Sequence, residues 1–247
     1  MSQVDISIIV TTHSEGRLAH PTLKSVTAAI AECKKVGITT EWLIVVDRPT
    51  PDLLNYLEAF PPACNRIETT DFGDPGLARN HAIKLIKGKY VTVLDGDDLW
   101  SANWLTAAYA FCENFPKPCV AHCETKIMFE RKEFIAHNID QESPDFHPEG
   151  LLEKNYWNPS CFARRETFLE HPYAASDLPN GIGYEDWYWN LEIMKGGKLH
   201  KVVPQTMHAI RFKSWKTSQL ATSAANECVM MASNFFNLPF QEGRGKQ

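Results

Sequence analysis

The tetrapeptide Asp95-Gly96-Asp97-Asp98 places three carboxylates within four positions, directly after the largely β-branched apolar run Tyr90-Val91-Thr92-Val93-Leu94. Short unbroken apolar runs of this kind are buried parallel strands, and open α/β sheets bind ligands beyond the carboxyl ends of such strands. Carboxylates this close repel one another, and a hard divalent cation among them relieves the repulsion. Mg²⁺ and Mn²⁺ prefer oxygen donors and commonly bridge to a substrate phosphate. The competing reading is a strand end running into a helix cap, because Asp favours caps and turns.

Two further acidic sites bear on that choice. Trp42-Leu43-Ile44-Val45-Val46-Asp47 is a second apolar run that ends in a carboxylate, and Glu185-Asp186 follows the glycine-containing stretch Gly181-Ile182-Gly183-Tyr184. Glu185-Asp186 stands where a helix is expected to start, and the orphan N–H groups there favour negative charge, so capping alone accounts for the pair. Opposite a cation-held phosphate the pair acquires another use. The cation neutralises charge growing on a leaving diphosphate, and a carboxylate takes the proton of the incoming hydroxyl.

The elements that must position these groups alternate. A strand at Asp5–Thr12 leads to a helix over Pro21–Lys35, with Leu23, Val26, Ile30 and Cys33 on one face and Gly37 as its stop. After the second strand, Pro49 and Pro51 break the chain and Asp52 is expected to cap a short helix through Phe60. A strand around Asn65–Thr70, a loop rich in Gly, Pro and Asp, and a helix over Leu77–Lys87 precede the Tyr90 strand. This alternation predicts a doubly wound α/β unit over the first hundred residues. Beyond it the pattern predicts a helix at Ser101–Phe115 and a β-pair at Val120–Phe129 and Glu133–Asn138. An exposed polar loop at Asp140–Gly150, a strand at Pro159–Ala163 and a helical turn at Glu166–Glu170 follow. A helix at Glu185–Lys195, two short strands at Leu199–Val203 and Thr206–Phe212, and a helical tail at Ser218–Phe236 complete the reading. The expected division is a domain over 1–217, with a nucleotide-binding half at 1–100 and an acceptor-side half at 101–217, and a helical tail at 218–247.

Composition narrows the class. With 247 residues, 44% hydrophobic and 22% charged, the chain has the make-up of a folded globular protein. The formal charge of −5 lacks the basic excess of a nucleic-acid binder. No apolar run is long enough to cross a bilayer and no signal peptide is read at the N-terminus, so a cytoplasmic location is expected. Seven cysteines without a CxxC pair suggest neither a disulfide framework nor a zinc site. The oily end Asn234-Phe235-Phe236-Asn237-Leu238-Pro239-Phe240 is expected to pack on the domain, with a partner or peripheral contact to the inner face of a membrane as alternatives.

Taken in order, these segments resemble a family-2 glycosyltransferase of the GT-A fold, a Rossmann-like mostly parallel sheet with helices on both faces. The resemblance spans roughly Ile6 to Leu191 and rests on Ser7–Glu15 as opening strand and loop, on Val45-Val46-Asp47, and on Gly76-Leu77-Ala78-Arg79-Asn80-His81-Ala82-Ile83. It rests further on Lys87 through Trp100 as the signature strand and DxD loop and on Gly183-Tyr184-Glu185-Asp186. The resemblance implies that Thr11, His13 and Glu15 lie against the nucleoside, that Asp47 accepts from the base (uracil in the first instance), and that Arg79 lies near the nucleotide. It implies that Asp95 contacts the ribose or donor sugar and that Asp97 holds Mn²⁺ or Mg²⁺ on the diphosphate. Asp186 becomes the general base, with Glu185 orienting it or binding the acceptor. The implied reaction moves a sugar, with inversion, from a nucleotide-sugar donor to a hydroxyl of a glycan or lipid-linked saccharide.

Two departures stand out. The family's polar turn after the second strand is replaced by Asp47-Arg48-Pro49-Thr50, where Arg48 is placed to meet a phosphate or alter base preference. The late Arg-x-His element survives as Arg211-Phe212-Lys213, which assigns Lys213 to the diphosphate and leaves His208 as a nearby candidate metal ligand. Trp157, Asn158, Trp187 and Trp215 are candidates for stacking on sugar rings, with core packing an equal account of the tryptophans. Other readings are a haloacid-dehalogenase-type phosphatase, whose Asp-x-Asp normally follows its first strand, and a non-catalytic nucleotide or glycan binder.

Overall fold

The computed structural model describes residues 4–213, 223–224 and 226–237. The alternating apolar runs form β1 (Ile6–Thr12), β2 (Thr40–Asp47), β3 (Arg66–Thr70) and β4 (Tyr90–Asp95), with helices α1 (Ala19–Lys35), α2 (Pro51–Ala59) and α3 (Pro75–Leu85) between them. A short β5 (Leu99–Trp100) follows the acidic loop, then α4 (Trp104–Asn114), β6 (Cys119–Glu130), β7 (Phe134–His137), β8 (Phe162–Arg164) and α5 (Arg165–Glu170). The chain continues through β9 (Ile182–Gly183), α6 (Glu185–Lys195), β10 (Leu199–Phe212) and β11 (Val229–Met230). Among the described residues the main sheet runs β3-β2-β1-β4-β8-β6-β10-β5, with β7 on the outer part of β6. β3, β2, β1 and β4 are parallel, and β8 enters antiparallel to both β4 and β6.

Strand alternation sorts the core onto two faces. Ile6, Ile8 and Val10 of β1 pack with Leu23 and Val26 of α1 and with Trp104 and Leu105 of α4. Ile9, Val91 and Val93 face Ala78, Ala82 and Ile83 of α3 together with Phe168 and Trp189. A third cluster gathers Leu151, Tyr156, Trp157, Leu191 and Phe235. Burial of these large side chains is the main driving force holding the acidic strand ends in place.

Several details depart from the sequence reading, each for a local reason. Thr50, in extended conformation ahead of Pro51, is the N-cap of α2, so Asp52 lies inside the first turn. Asp74 caps α3 by accepting from Leu77 N–H at 2.8 Å, and the helix begins at Pro75, ahead of Leu77. Leu99 and Trp100 pair antiparallel with Ala209 and His208, which delays the start of α4. Leu199–Phe212 is one strand with an irregularity between Val203 and Met207, in place of two. Val229–Met230 is a strand within the expected helical tail, pairing parallel with β9, and Asn234–Asn237 is a 3₁₀ turn. Phe235 is buried on the domain. Residues 214–222 and 238–247, including Trp215, lie outside the described residues.

Candidate active site

The carboxyl ends of β1, β2 and β4, the N-termini of α3 and α6, and the far end of β10 surround one cleft of about 580 Å³. That is within the size range of small-molecule sites. Thr11, His13, Glu15, Asp47, Arg79, Asp95, Asp97, Glu185, Asp186 and Lys213 all line it. Close approach of backbone makes the convergence possible. A Cβ on Gly96 would lie 2.5 Å from Thr12 Cγ2 and 2.9 Å from the Thr11 carbonyl, so the loop after β4 can press against β1 only with glycine there. A Cβ on Gly76 would lie 3.0 Å from Glu185 Cγ, so the same residue type brings α3 against the start of α6.

Arg79 is the joint of the site. Its guanidinium is fully buried and donates to Asp95 Oδ1 at 2.8 Å and to Glu185 Oε1 at 3.0 Å. Burial works to raise the Asp95 pKa, but the Arg79 charge and hydrogen bonds from Arg79 and Thr11 hold it below its ordinary value. Thr11 Oγ1 donates to the same Asp95 oxygen at 3.0 Å. Burial pushes the Glu185 pKa up, against the pull of Arg79. Next to it, Asp186 is pushed up to about 7, first by burial and then by the charge of Glu185. Its Oδ2 accepts from Asn155 Nδ2 at 2.9 Å, and Asn155 Oδ1 in turn accepts from Asn190 Nδ2 at 3.0 Å. A carboxyl group titrating near neutrality at the wall of a cleft has the poise of a general base.

The acidic loop divides its carboxylates among different partners. Asp98 Oδ2 meets His208 Nε2 at 3.0 Å and its Oδ1 accepts from Arg211 N–H at 2.9 Å. The other ring nitrogen of His208 meets Asn158 Nδ2 at 2.9 Å. Both nitrogens of His208 are therefore engaged by protein, and the ring faces Asp98, not Asp97. Asp97 is pushed up to about 7 by burial and by Asp98, against the opposing pull of Lys213. Lys213 Nζ lies 2.9 Å from Asp97 Oδ2 and 3.4 Å from Glu15 Oε1. Glu15, expected beside the nucleoside, thus faces Asp97 across an ammonium group, and its Oε2 accepts from His13 N–H at 2.5 Å.

On the β2 side, Asp47 is committed to its own loop. Its Oδ1 accepts from Thr70 Oγ1 at 2.8 Å and Phe72 N–H at 2.7 Å, and its Oδ2 accepts from Asp74 N–H at 3.2 Å. His13 Nδ1 approaches the Asp47 carbonyl at 2.6 Å. Arg48 sits in the left-handed region at φ 49° and binds Asp71 at 2.7 Å, with its side chain half exposed at the rim. Trp157 is fully buried and stacks on His200 at 3.9 Å, which removes it from the sugar-stacking candidates. Trp187 is partly buried and donates to the Leu151 carbonyl at 3.1 Å, while Asn158 reaches the cleft. Asn155 and Asn190 are not legible as site residues in the sequence, because single polar residues carry no periodic or spacing signal; Arg211, part of the Arg211-Phe212-Lys213 remnant, lines the cleft beside Lys213.

Among the described residues, no three His, Cys, Asp or Glu side chains group as a ready metal site. The donors nonetheless fit a hard cation: Asp97 and Glu15 each present an oxygen to one point, and the Lys213 ammonium stands there as a built-in cation. Mg²⁺-type sites commonly use one or two carboxylates and complete their shell with substrate phosphate and water. Carboxylates also outnumber the cationic side chains Arg48, Arg79, Arg211 and Lys213 on the described lining, so a bound diphosphate needs added positive charge.

Comparison with known proteins agrees on the fold. S. aureus TarS 1-349 in complex with UDP-GlcNAc superposes with a TM-score of 0.66 at 16% identity, covering 89% of this chain and 61% of that one. Mannosyltransferase PcManGT from Pyrobaculum calidifontis, solved with GDP-Man and Mn²⁺, gives 0.55 at 16% identity, covering 85% and 57%. GalNAc-T7 with UDP, GalNAc and Mn²⁺ gives 0.59 at 15% identity, covering 86% and 44%. These likenesses identify the fold as GT-A, and this chain spans about three fifths of the TarS 1-349 length. A search of curated proteins finds no matching relative. The profile of glycosyl transferase family 2 matches residues 7–169, from β1 through α5, and on that match this chain belongs to glycosyl transferase family 2.

Proposed function

We propose that this protein transfers a sugar from a nucleoside diphosphate to a hydroxyl group of a glycan or lipid-linked saccharide, with inversion at the anomeric carbon and Asp186 as general base. The observation that carries this reading is Arg79 joining Asp95 to Glu185. It holds the strand end that faces the donor and the helix start that bears the base at one cleft, as displacement at a single carbon requires. Asp186 removes the acceptor proton as its oxygen attacks, while Glu185, held by Arg79, keeps the start of α6 oriented. Thr11 and His13 line the nucleoside side, and Asp95 faces the ribose or donor sugar. Asp47 supports the base-binding side by bracing the 70–74 loop.

Asp97 and Glu15 are the residues that would hold Mn²⁺ or Mg²⁺, and such a cation supplies charge neutralisation to the departing diphosphate. The Mn²⁺ in two of the neighbouring structures supports a divalent cation in this reading. Neighbours solved with UDP, UDP-GlcNAc and GDP-Man make UDP-linked sugars the first donors to test and GDP-linked sugars the second. Peripheral contact with the inner face of a membrane through the C-terminal tail, 218–247, belongs to the proposal. Among the described residues, no helix is long and apolar enough to cross a membrane.

The test is a panel of nucleotide sugars assayed for release of nucleoside diphosphate, with parent protein and Asp186→Asn. Release from one donor class, enhanced by a saccharide acceptor and lost in the variant while nucleotide binding persists, supports the reading. Phosphate release from simple sugar phosphates without any acceptor would overturn it in favour of a phosphatase.

A further inference from the structure

Lys213 stands between two carboxylates of the cleft, Asp97 and Glu15. Asp95 is paired with Arg79, and Asp98 contacts His208 and accepts from the Arg211 N–H. Asp97 is left with Lys213, whose Nζ also reaches Glu15. These two carboxylates come from the loops that follow β4 and β1, and the ammonium between them suppresses a repulsion that the fold would otherwise carry. Lysine suits this task because its charge is a compact point on a flexible four-carbon stem. The residue immediately follows Phe212, the last residue of β10.

A hard divalent cation needs the same Asp97 and Glu15 oxygens, at distances near 2.1 Å. The ammonium is already within 2.9 Å of one of them, so the two cations cannot occupy the point together. We infer that Lys213 is a tethered counter-ion that excludes divalent cations from Asp97 and Glu15 in the nucleotide-free protein and moves to phosphate when a cation and a nucleoside diphosphate bind. Cation and nucleotide binding then become interdependent. A cation arriving alone must displace the lysine and leave it without a partner in a partly buried position. A cation arriving with a diphosphate leaves it a new anion to pair with. Linkage makes the effect reciprocal: the nucleotide raises cation affinity by the factor by which the cation raises nucleotide affinity. The nucleotide half rests on the donor reading above; the competition between Lys213 and a cation does not.

The experiment is a titration of Mn²⁺ alone into the full chain, followed by electron paramagnetic resonance of the free ion, for parent, Lys213→Met and Lys213→Arg. It is repeated with saturating UDP and, in parallel, GDP, correcting for Mn²⁺ bound by free nucleotide. Without nucleotide, Lys213→Met should bind Mn²⁺ at least tenfold more tightly than the parent, and Lys213→Arg should resemble the parent. The enhancement of Mn²⁺ affinity by UDP should be larger in the parent than in Lys213→Met by at least fivefold. Thermal unfolding of each variant verifies that folded protein is compared, and the Arg variant keeps the test decisive if the Met variant fails to fold: Mn²⁺ affinity in Lys213→Arg tenfold above the parent would then overturn the inference. Equal Mn²⁺ affinities in folded parent and Lys213→Met, marking a merely structural ion pair, would overturn it. So would an absence of Mn²⁺ binding in every variant with and without nucleotide. Tighter Mn²⁺ binding by Lys213→Met with no response to either nucleotide would support the competition and overturn the donor reading instead.

Discussion

Asp95 and Glu185, one at the end of β4 and the other at the start of α6, are held by a single buried guanidinium, that of Arg79, at 2.8 and 3.0 Å. The arrangement leaves one positive charge shared between two carboxylates, and its stability depends on every member staying in place. Removing one partner of a buried charge network strands the others without compensation.

Arg79→Met is therefore expected to destabilise the fold by about 3–5 kcal/mol, measured by urea unfolding. Arg79→Lys keeps the charge but loses the planar fork that reaches both carboxylates. It should fall between parent and Arg79→Met in stability, and its transfer activity should drop more than its nucleotide affinity.

Transfer should follow the ionisation of Asp186. The base works only when deprotonated, and burial with the charge of Glu185 sets its pKa at about 7. The rate, kcat/KM, is thus expected to fall tenfold per pH unit below about 7 and to level off above it. Asp186→Asn should cost about 10²–10⁴-fold in kcat, the usual range for a general base. A stability effect runs in the opposite direction. Folding raises this pKa from 3.8 to about 7, so the folded protein holds the proton more tightly than the unfolded chain. The resulting stabilisation is complete below about pH 3.8 and lost as pH rises through about 7. At pH 8, Asp186→Asn should melt at a higher temperature than the parent, and an unchanged or lower melting temperature would refute the buried-carboxylate account.

Asn155 donates to Asp186 and is itself fixed by Asn190. Its N–H favours the ionised carboxylate. Asn155→Ala should move the acidic limb of the kcat/KM profile to higher pH, with nucleotide affinity unchanged. Asn190→Ala, acting through Asn155, should produce a smaller shift in the same sense. A uniform loss of rate without displacement of the profile would remove Asn155 from this role.

His208 uses both ring nitrogens on Asp98 and Asn158. His208→Ala should destabilise the protein by about 1–3 kcal/mol, the cost of leaving buried polar groups unpaired. Its Mn²⁺ affinity in the presence of UDP should stay within threefold of the parent, whereas Asp97→Ala should abolish cation-dependent nucleotide binding in calorimetry. Loss of Mn²⁺ affinity in His208→Ala comparable to that in Asp97→Ala would restore His208 as a ligand.

Local chemistry determined a good deal of this protein before any tertiary contact is considered. The apolar runs at Ile6–Thr12, Thr40–Asp47 and Tyr90–Asp95 are strands because β-branched residues buried on both faces fit only a covered parallel sheet. That rule also delivers Asp47 and Asp95 to the ligand-binding end of the sheet. Helix α6 is legible from Glu185 to Lys195 because acidic residues open it and Gly196-Gly197 stop it. Partnership within the site was decided only by folding. Which of Asp97 and Asp98 meets Lys213 or His208 depends on β5 pairing antiparallel with β10, a long-range registry that no local pattern encodes. The same holds for Trp157, open in sequence to sugar stacking or to the core, which stacks on the β10 histidine His200. Periodicity reports which way a side chain points along its own element. The distance between charges on different elements is set by the packing of the whole sheet, and that distance decides whether a carboxylate is a ligand, a base or a brace.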